Sequence, residues 1–341
     1  MSDGDSEQPR RRHPAWRLVL LVLALVSFYL LAPSLLAVYG SIDTVIRLNP
    51  GWLAAIVVCE ALSFASVWEL LVVVLRTKRR FAVATSQLAS NAASLVTPGG
   101  AATGAALQYR MLQRAGIESA TVGSSLAAAS LLTTGAIAAT PVLALPAVLG
   151  GAPVADELRN AVWLGLVVFL LLVGAGAALL TTTRPITAVA RLVERLLRRE
   201  NPGGAPDLAA RVLAERDHIR RALGRHKARA ILAAAGKVGF DYLALLAALA
   251  AVGSRPSPSL TIVAFAAAEV FGMIPITPGG LGFVEVGLTG ALALAGVPAE
   301  QALVATGAYR LAAFWLPIPV GLGAWLTFRR WSGPEPAVQA G

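Results

Sequence analysis

Three long stretches of the chain, 18–38, 160–183 and 311–328, contain no charged residue. A helix needs about 20 apolar residues to cross a hydrocarbon core of roughly 30 Å, so each stretch is suited to spanning a bilayer. The whole chain is 56% hydrophobic and 14% charged, whereas soluble domains carry roughly 25% charged residues. The sequence therefore predicts an all-α integral membrane protein and disfavours a large soluble helical core.

Two other apolar stretches, 81–109 and 256–297, are each interrupted by the sequence Thr-Pro-Gly-Gly. The arms of the first stretch, 81–96 and 101–115, reach only about 22–24 Å at 1.5 Å per residue. Neither arm alone crosses a core of roughly 30 Å. We therefore predict two re-entrant helical hairpins beside about six spanning helices. The predicted spans are 17–39, 51–75, 118–146, 160–183, 231–252 and 300–328.

The positions of the basic residues predict the topology, because cytoplasmic loops are rich in lysine and arginine. Four arginines lie at positions 10–17, the loop 76–80 holds four basic residues, and the segment 184–229 holds twelve. All three lie on one side of the membrane only if 81–109 enters from the cytoplasm and returns, and 256–297 then enters from outside. The predicted domains are a cytoplasmic basic tail, 1–16, a transmembrane domain, 17–328, and a cytoplasmic tail, 329–341.

The two hairpins also belong to an internal repeat. Thr-Pro-Gly-Gly at 97–100 recurs 180 positions later at 277–280, and Ala-Gly-Ile at 115–117 recurs as Ala-Gly-Val at 295–297. Because the hairpins enter from opposite sides, the sequence predicts an inverted-topology repeat, the architecture of many secondary transporters. The units are repeat 1, about 51–146, and repeat 2, about 231–328, separated by an amphipathic basic cytoplasmic segment, 184–229.

Each Thr-Pro-Gly-Gly turn is a candidate binding site. Proline ends the preceding helix, glycine permits the reversal, and the next helix begins with free N–H groups that attract anions such as phosphate. The alternative hypothesis is that the motif only turns the chain. The candidate substrate-binding residues of the turns are Thr97, Pro98, Gly99, Gly100, Thr277, Pro278, Gly279 and Gly280.

Charged residues within apolar segments are further candidates, because a charge at the bilayer centre costs roughly 2.5–3.5 kcal/mol. Glu269 and Glu285 lie on either side of the second turn, and Tyr309-Arg310 lies on the last span. We predict that Glu285 projects between the hairpins and is protonated or paired, with Arg310 as the partner. Glu285 and Glu269 would bind a cationic headgroup or carry a coupling proton. Arg110 ends the first hairpin, near the cytoplasmic face. These five residues complete the predicted substrate-binding or transport site.

Other polar residues in apolar segments admit two interpretations. Glu60 and Glu69 are either functional or have a structural role, as interhelical hydrogen bonds or as protonated carboxyl groups. The polar side chains of the arm before the first turn either line a hydrophilic cavity or pack against neighbouring helices. The residues of that arm are Gln87, Ser90, Asn91, Ser94 and Thr97.

The sequence lacks the motifs of several enzyme classes. It contains no Walker A loop, His-Glu-x-x-His or Gly-x-Ser-x-Gly. The single cysteine, Cys59, cannot form an intramolecular disulfide, and a lone thiol makes no metal site. The residues behind the net charge of +10 lie between apolar spans, without a nucleic-acid-binding pattern. We therefore expect no enzyme activity, no catalytic residue, no cofactor or metal, and no nucleic-acid partner.

The second hairpin and the last span hold residues that occur together in one known family. They are Ile-Pro-Ile-Thr-Pro-Gly-Gly-Leu-Gly-Phe-Val-Glu at 274–285, Tyr309-Arg310 and Phe314-Trp315. In these residues the chain resembles the flippase-like family, also called the lysylphosphatidylglycerol synthase transmembrane region, over about 17–328. The first hairpin, 98–110, matches more loosely, because Thr103-Gly104-Ala105 stands where the family often has a Gly-Glu pair.

The resemblance implies a stand-alone membrane module without the aminoacyl-transferase domain, in the bacterial cytoplasmic membrane. It implies a lipid flippase or transporter that binds a phospholipid or lipid-linked headgroup between the two turns, with membrane lipids, above all anionic ones, as partners. The alternatives are a non-transporting scaffold that regulates a partner enzyme and, ranked below it, a membrane-embedded lipid transferase. A second copy of the chain or a membrane enzyme is the expected protein partner.

Overall fold

The computed structural model describes five parts of the chain, and within them the backbone is helical and contains no β-strand. The all-α prediction is therefore confirmed for these parts. The predicted first span, 17–39, and nearly all of the basic segment 184–229 lie outside the described residues. The described residues are 48–97, 100–149, 156–181, 226–272 and 278–332.

The first half of the fold begins at a capped helix. The Asn49 side chain accepts a hydrogen bond from the Gly51 N–H at 2.8 Å, and Pro50 occupies the first helical position, where its missing N–H costs nothing. A 3-10 turn, Thr140–Ala144, joins the fourth and fifth helices. The helices of this half are α1 (Pro50–Leu75), α2 (Arg80–Val96), α3 (Gly100–Arg114), α4 (Ser119–Ala139), α5 (Leu145–Leu149) and α6 (Asp156–Thr181).

The second half follows the same order of a long helix, two shorter helices and a long helix. A short 3-10 turn, Pro278–Gly280, lies between its two shorter helices. A π-helical turn, Leu311–Trp315, joins its last two helices. The helices of this half are α7 (Lys227–Ala251), α8 (Pro258–Gly272), α9 (Phe283–Leu294), α10 (Ala299–Arg310) and α11 (Pro317–Ser332).

Several helical segments agree with the predicted spans. By length and composition, the described residues include four segments that are suited to crossing a membrane. The predicted span 160–183 falls largely within α6, where Val162–Leu171 is a shorter apolar segment. The four long segments are Pro50–Leu75, Ser119–Ala144, Lys227–Ala251 and Ala299–Ser332.

The first Thr-Pro-Gly-Gly sequence separates two helices that pack side by side. A Cβ on Gly100 would lie 1.9 Å from the Ser94 carbonyl oxygen, and one on Gly104 would lie 2.6 Å from that of Ser90. Residues later in α3 therefore contact residues earlier in α2, so the two helices are antiparallel. Glycine is needed at these positions because the backbones approach too closely for a side chain.

The second hairpin is formed by α8 and α9, which pack through apolar side chains. Phe265 of α8 and Leu288 of α9 are both fully buried in one core cluster. The chain between them passes through Gly279 and Gly282, whose φ angles are +57° and +84°. Only glycine adopts such angles without strain. The first interrupted stretch is therefore a helical hairpin, and the second consists of two helices that pack together; we call both of them hairpins. That each enters and leaves the bilayer on the same side stays a prediction.

The long helices that open the two repeats run antiparallel to each other. Ser63 of α1 donates a hydrogen bond to the Lys237 carbonyl oxygen of α7 at 3.1 Å. Glu69, nearer the end of α1, pairs with Arg229, nearer the start of α7. Matched helices of opposite direction are what an inverted repeat requires.

The ends of each repeat pack on the hairpin of the other. A Cβ on Gly321 of α11 would lie 2.3 Å from the Leu88 carbonyl oxygen of α2. In the opposite sense, Ala144 at the end of repeat 1 packs in one buried cluster with Leu260 and Val263 of α8. Each repeat therefore contributes to the packing of the other repeat's hairpin.

Candidate functional site

A cavity of ≈ 410 Å³ lies between the two hairpins and the paired long helices. Residues from both turns border it, with Gly100 and Ala101 from the first and Gly279 from the second. Most of its other lining residues are polar or charged. Those polar residues are Glu60, Ser63, Gln87, Asn91, Ser94, Lys237, Asp241, Glu269, Tyr309 and Arg310.

The arm before the first turn supplies one polar wall. Gln87, Asn91 and Ser94 recur at helical spacing on α2 and line the cavity. The Gln87 side-chain oxygen accepts a hydrogen bond from the Trp68 indole N–H at 3.1 Å, which fixes the amide. Of the two interpretations of this arm, the hydrophilic cavity wall applies to these three residues.

Ser90 and Thr97 of the same arm are not among the lining residues. The Thr97 hydroxyl donates to the Ala93 carbonyl oxygen at 2.7 Å. Ser90 is buried, and its carbonyl oxygen accepts a hydrogen bond from the Ser94 hydroxyl at 3.0 Å. These two residues therefore serve the packing of the hairpin.

Arg310 is the cation closest to the second turn. Its side chain is 8% exposed, and its Nε donates to Glu285 Oε1 at 2.8 Å. Its Nη2 donates to the Gly279 carbonyl oxygen at 3.3 Å, and its guanidinium group lies 4.5 Å from the centroid of the Phe314 ring. Among the described residues, Nη1 has no hydrogen-bond partner, so one end of the guanidinium group is available to a ligand.

Glu285 pairs with Arg310 as the sequence analysis predicts, but it does not line the cavity. Its second oxygen, Oε2, accepts a hydrogen bond from the Gly282 N–H at 2.6 Å. Gly282 is the residue before α9, so this carboxylate caps the start of its own helix. Glu285 therefore acts on the cavity through Arg310, which it holds in place.

The opposite side of the cavity contains a cluster of acidic groups around one lysine. Lys237 Nζ lies 2.9 Å from Asp241 Oδ2 on the same helix and 3.6 Å from Glu269 Oε2 on α8. The Tyr309 hydroxyl donates to Asp241 Oδ1 at 3.1 Å. Glu60 of α1 is 5% exposed and completes the cluster. We call Glu60, Lys237, Asp241 and Glu269 the acid–lysine cluster.

The structure thus brings together some of the predicted site residues and separates others. Gly100, Glu269, Gly279, Tyr309 and Arg310 border the cavity. Gly280 is buried behind the turn, and Arg110 is exposed at the far end of α3, away from the cavity. Pro98, Gly99 and Thr277 lie outside the described residues, as does the side chain of Pro278.

Sequence reasoning missed two central residues, Lys237 and Asp241. Both are charged and lie within the predicted span 231–252, so the rule that singled out Glu269 and Arg310 applies to them as well. Their spacing of four residues is also typical of an ion pair on one helix face. The sequence therefore contained the signal for this pair, although it did not show that Glu60 and Glu269 would join it.

The arrangement suits the binding of a polar group. In the described parts of the chain, no three His, Cys, Asp or Glu side chains are grouped so that they could hold a metal ion. The cavity instead offers hydroxyl and amide side chains, an arginine and an acid–lysine cluster. Non-helical backbone inside a membrane protein is tolerated where it borders such a cavity.

The fold and the site define a multi-pass helical membrane protein built around a polar cavity between two hairpins. The chain belongs to the family described as the lysylphosphatidylglycerol synthase TM region, whose family model matches residues 16–321. This match confirms the resemblance of the second hairpin and indicates a lipid-related role in the membrane. Among curated proteins, none matches the chain.

Proposed function

We propose that this protein binds the headgroup of a phospholipid or lipid-linked compound in the cavity and carries that lipid across the bilayer. The observation that carries the proposal is the buried guanidinium group of Arg310, which faces a polar cavity bordered by both turns. The proposed setting is the cytoplasmic membrane of a bacterium, with both termini in the cytoplasm. No covalent change of the lipid is part of the proposal.

The chemistry around Arg310 suits a phosphate group. Arginine binds phosphate oxygens through its planar set of N–H donors. Gly100 and Ala101, which also line the cavity, are the first residues of α3, where backbone N–H groups have no partner within the helix. These N–H groups and the helix dipole add attraction for an anion.

The volume of the cavity supports a headgroup rather than a whole lipid. A cavity of ≈ 410 Å³ lies near the lower end of the roughly 300–1,000 Å³ of small-molecule sites. Two acyl chains do not fit there beside a headgroup. We infer that the acyl chains stay in the bilayer while the headgroup occupies the cavity, which is the arrangement that a flippase needs.

A non-transporting scaffold would have little use for such a cavity. Buried charges are costly in a membrane and usually mark a substrate or ion pathway. The cavity residues Arg310, Lys237, Glu60 and Glu269 are therefore better explained by transport than by a role in assembly.

The proposal is tested by lipid movement in proteoliposomes. The purified protein is reconstituted with acyl-labelled fluorescent lipids that carry anionic, zwitterionic or cationic headgroups, and a membrane-impermeant quencher reports lipids that reach the outer leaflet. We expect the protein to accelerate the movement of at least one headgroup class. Arg310→Gln should slow it by about tenfold or more, which corresponds to the loss of ~1.4 kcal/mol of binding.

Two further variants control for charge and folding. Arg255 is exposed in the loop after α7, so Arg255→Gln removes the same charge away from the cavity and should not affect lipid movement. Arg310→Gln combined with Glu285→Gln avoids an unpaired carboxylate and separates misfolding from lost binding. Failure of the wild-type protein to move any headgroup class would favour the scaffold, and normal rates in both Arg310 variants would remove the arginine from the site.

A further inference from the structure

The acid–lysine cluster contains more carboxyl groups than cations. Lys237 pairs with Asp241 at 2.9 Å and lies farther from Glu269, at 3.6 Å. Arg310, the other cation at the cavity, is already paired with Glu285. With three carboxyl groups and one ammonium group, the cluster is neutral only when two carboxyl groups bind a proton or a cation.

Glu60 is the group in the cluster whose bonding is least satisfied. Its side chain is 5% exposed and lines the cavity. Its Oε1 is buried and has no hydrogen-bond partner among the described residues. A buried carboxylate oxygen without a partner is costly. Protonation of this oxygen would remove most of the free-energy cost of burying it.

The hydrogen bonds of Asp241 point to the same conclusion. Asp241 accepts from the Lys237 ammonium group through Oδ2 and from the Tyr309 hydroxyl through Oδ1, so both of its oxygens are stabilised as a carboxylate. Glu269 lies at the longer distance of 3.6 Å from Lys237, and Glu60 Oε1 has no partner among the described residues. Glu60 and Glu269 are therefore the members left to bind protons.

Among the described residues that line the cavity, the titratable groups outside the cluster are Tyr309 and Arg310 on α10. The cluster itself comes from Glu60 on α1, Lys237 and Asp241 on α7, and Glu269 on α8. The wall supplied by α2 is polar but uncharged, through Gln87, Asn91 and Ser94. In the described residues, the carboxyl groups are also not arranged to hold a metal ion. The cavity has room for several water molecules, which would connect the cluster to solvent.

We propose that the acid–lysine cluster is a proton-binding site, with Glu60 as its exchangeable group, and that this proton travels with an anionic lipid headgroup. The transport part of this inference rests on the proposed function, whereas the proton site itself does not. An anionic headgroup beside Arg310 would add negative charge to the cavity, and a nearby negative charge favours the protonated form of a carboxyl group.

In each transport cycle one proton enters from water on one side, binds the Glu60 carboxylate and leaves to water on the other side. The Glu60 carboxylate is regenerated by that release, so protons and charge balance. Because binding linkage is reciprocal, a proton on Glu60 should in turn favour the anionic headgroup.

The first experiment tests the proton site without any transport. The purified full-length protein is titrated with acid and base while infrared spectroscopy follows the C=O stretch of protonated carboxyl groups. The chain has 19 Asp and Glu residues, so the band to follow is the high-frequency C=O band of a carboxyl group without a hydrogen-bond partner. We expect this band to titrate with pH in the wild-type protein and to be lost in Glu60→Gln. Glu300 is exposed at the start of α10, so Glu300→Gln is the matched control and should keep the band.

The second experiment tests the coupling. In proteoliposomes, a pH gradient across the membrane should change the rate of movement of phosphatidylglycerol at least about threefold, with a smaller effect on phosphatidylcholine, as expected for a coupling of roughly 1 kcal/mol. Glu60→Gln should abolish the dependence on the gradient, and Glu300→Gln should retain it.

The outcomes separate the two proposals. The protein could show a titrating band that depends on Glu60 but move no lipid. That result would contradict the proposed function and support the proton site. A wild-type protein without the high-frequency titrating band, or a band unchanged in Glu60→Gln, would overturn the proton site even if lipids are moved. If lipid movement by the wild-type protein does not depend on the pH gradient, the coupling is overturned. If Glu60→Gln fails to fold, Glu60→Asp keeps a carboxyl group at this position and should shift the frequency of the band, and an unchanged band would overturn the assignment to Glu60.

Discussion

Arg310 Nε lies 2.8 Å from Glu285 Oε1, and this ion pair joins α10 to the first turn of α9. The same carboxylate accepts a hydrogen bond from the Gly282 N–H through its other oxygen, at 2.6 Å. One side chain therefore fixes both the start of a helix and the orientation of the arginine. Because Arg310 borders the cavity and Glu285 does not, the acid is a positioning residue.

The two roles of Glu285 are separable by substitution. Glu285→Gln keeps an oxygen that can accept from the Gly282 N–H, but it loses the charge that holds Arg310. A hydrogen bond between charged groups contributes about 1.5–3 kcal/mol, so lipid movement should fall about tenfold or more. Glu285→Ala also loses the helix cap and should cost about 1 kcal/mol of further stability.

The measurements for this pair of variants are lipid movement in proteoliposomes and thermal unfolding in detergent. Similar unfolding temperatures for wild type and Glu285→Gln, with lost transport, are expected. Equal transport in wild type and Glu285→Gln would show that the carboxylate serves only the helix.

Asp241 should matter more for stability than Tyr309. Asp241→Asn leaves the Lys237 ammonium group without its 2.9 Å partner, and breaking a buried ion pair costs about 3–5 kcal/mol. Glu269, at 3.6 Å from the same nitrogen, should offset part of that cost. Tyr309→Phe removes one hydrogen bond, with an expected loss of about 0.5–1.5 kcal/mol.

A second tyrosine provides the matched control for this prediction. The Tyr242 hydroxyl donates to the Pro258 carbonyl oxygen at 2.5 Å, outside the cavity. Tyr242→Phe and Tyr309→Phe should lower the unfolding temperature similarly, but only Tyr309→Phe should alter lipid movement. Equal transport in the two variants would argue that Tyr309 is a packing residue.

Two glycines of α11 test the packing of one repeat on the hairpin of the other. A Cβ on Gly321 would lie 2.3 Å from the Leu88 carbonyl oxygen and 2.5 Å from Ala92 Cβ. The helical backbone at Leu88 cannot shift easily to make room, so Gly321→Ala should destabilise the protein by about 1–3 kcal/mol. Gly323 has open space around it, so Gly323→Ala should be neutral or stabilising by roughly 0.5–1 kcal/mol. Thermal unfolding of both variants gives the comparison, and equal stability would contradict the observed contact.

Topology is tested by single-cysteine labelling in a Cys59→Ala background. Lys78→Cys lies in the loop between α1 and α2. In cells, we expect it to react with an impermeant maleimide only after the membrane is permeabilised. Arg211→Cys, which lies outside the described residues, should behave in the same way. Labelling of position 211 from the outside of intact cells would contradict the predicted inverted topology.

The sequence alone was sufficient to predict an all-helical membrane protein. Uncharged apolar stretches require a membrane as solvent, and backbone groups in lipid require helices. The Thr-Pro-Gly-Gly sequences predicted where two of these stretches are interrupted, because a proline followed by two glycines removes a backbone donor and favours non-helical dihedral angles. The pairing of Glu285 with Arg310 was also predicted, since two opposite charges in apolar segments rarely remain apart.

Only the tertiary structure decided which side chains face the cavity. Glu285 turns to its own helix start, Arg110 remains exposed, and Lys237 and Asp241 join Glu60, which is more than 170 positions away in the chain. The physical reason lies in the solvent. In water, an apolar stripe shows which face of a helix points inward. In a membrane, the lipid-facing and protein-facing sides are both apolar, so the rotation of each helix is set by packing with distant segments, which local sequence does not specify.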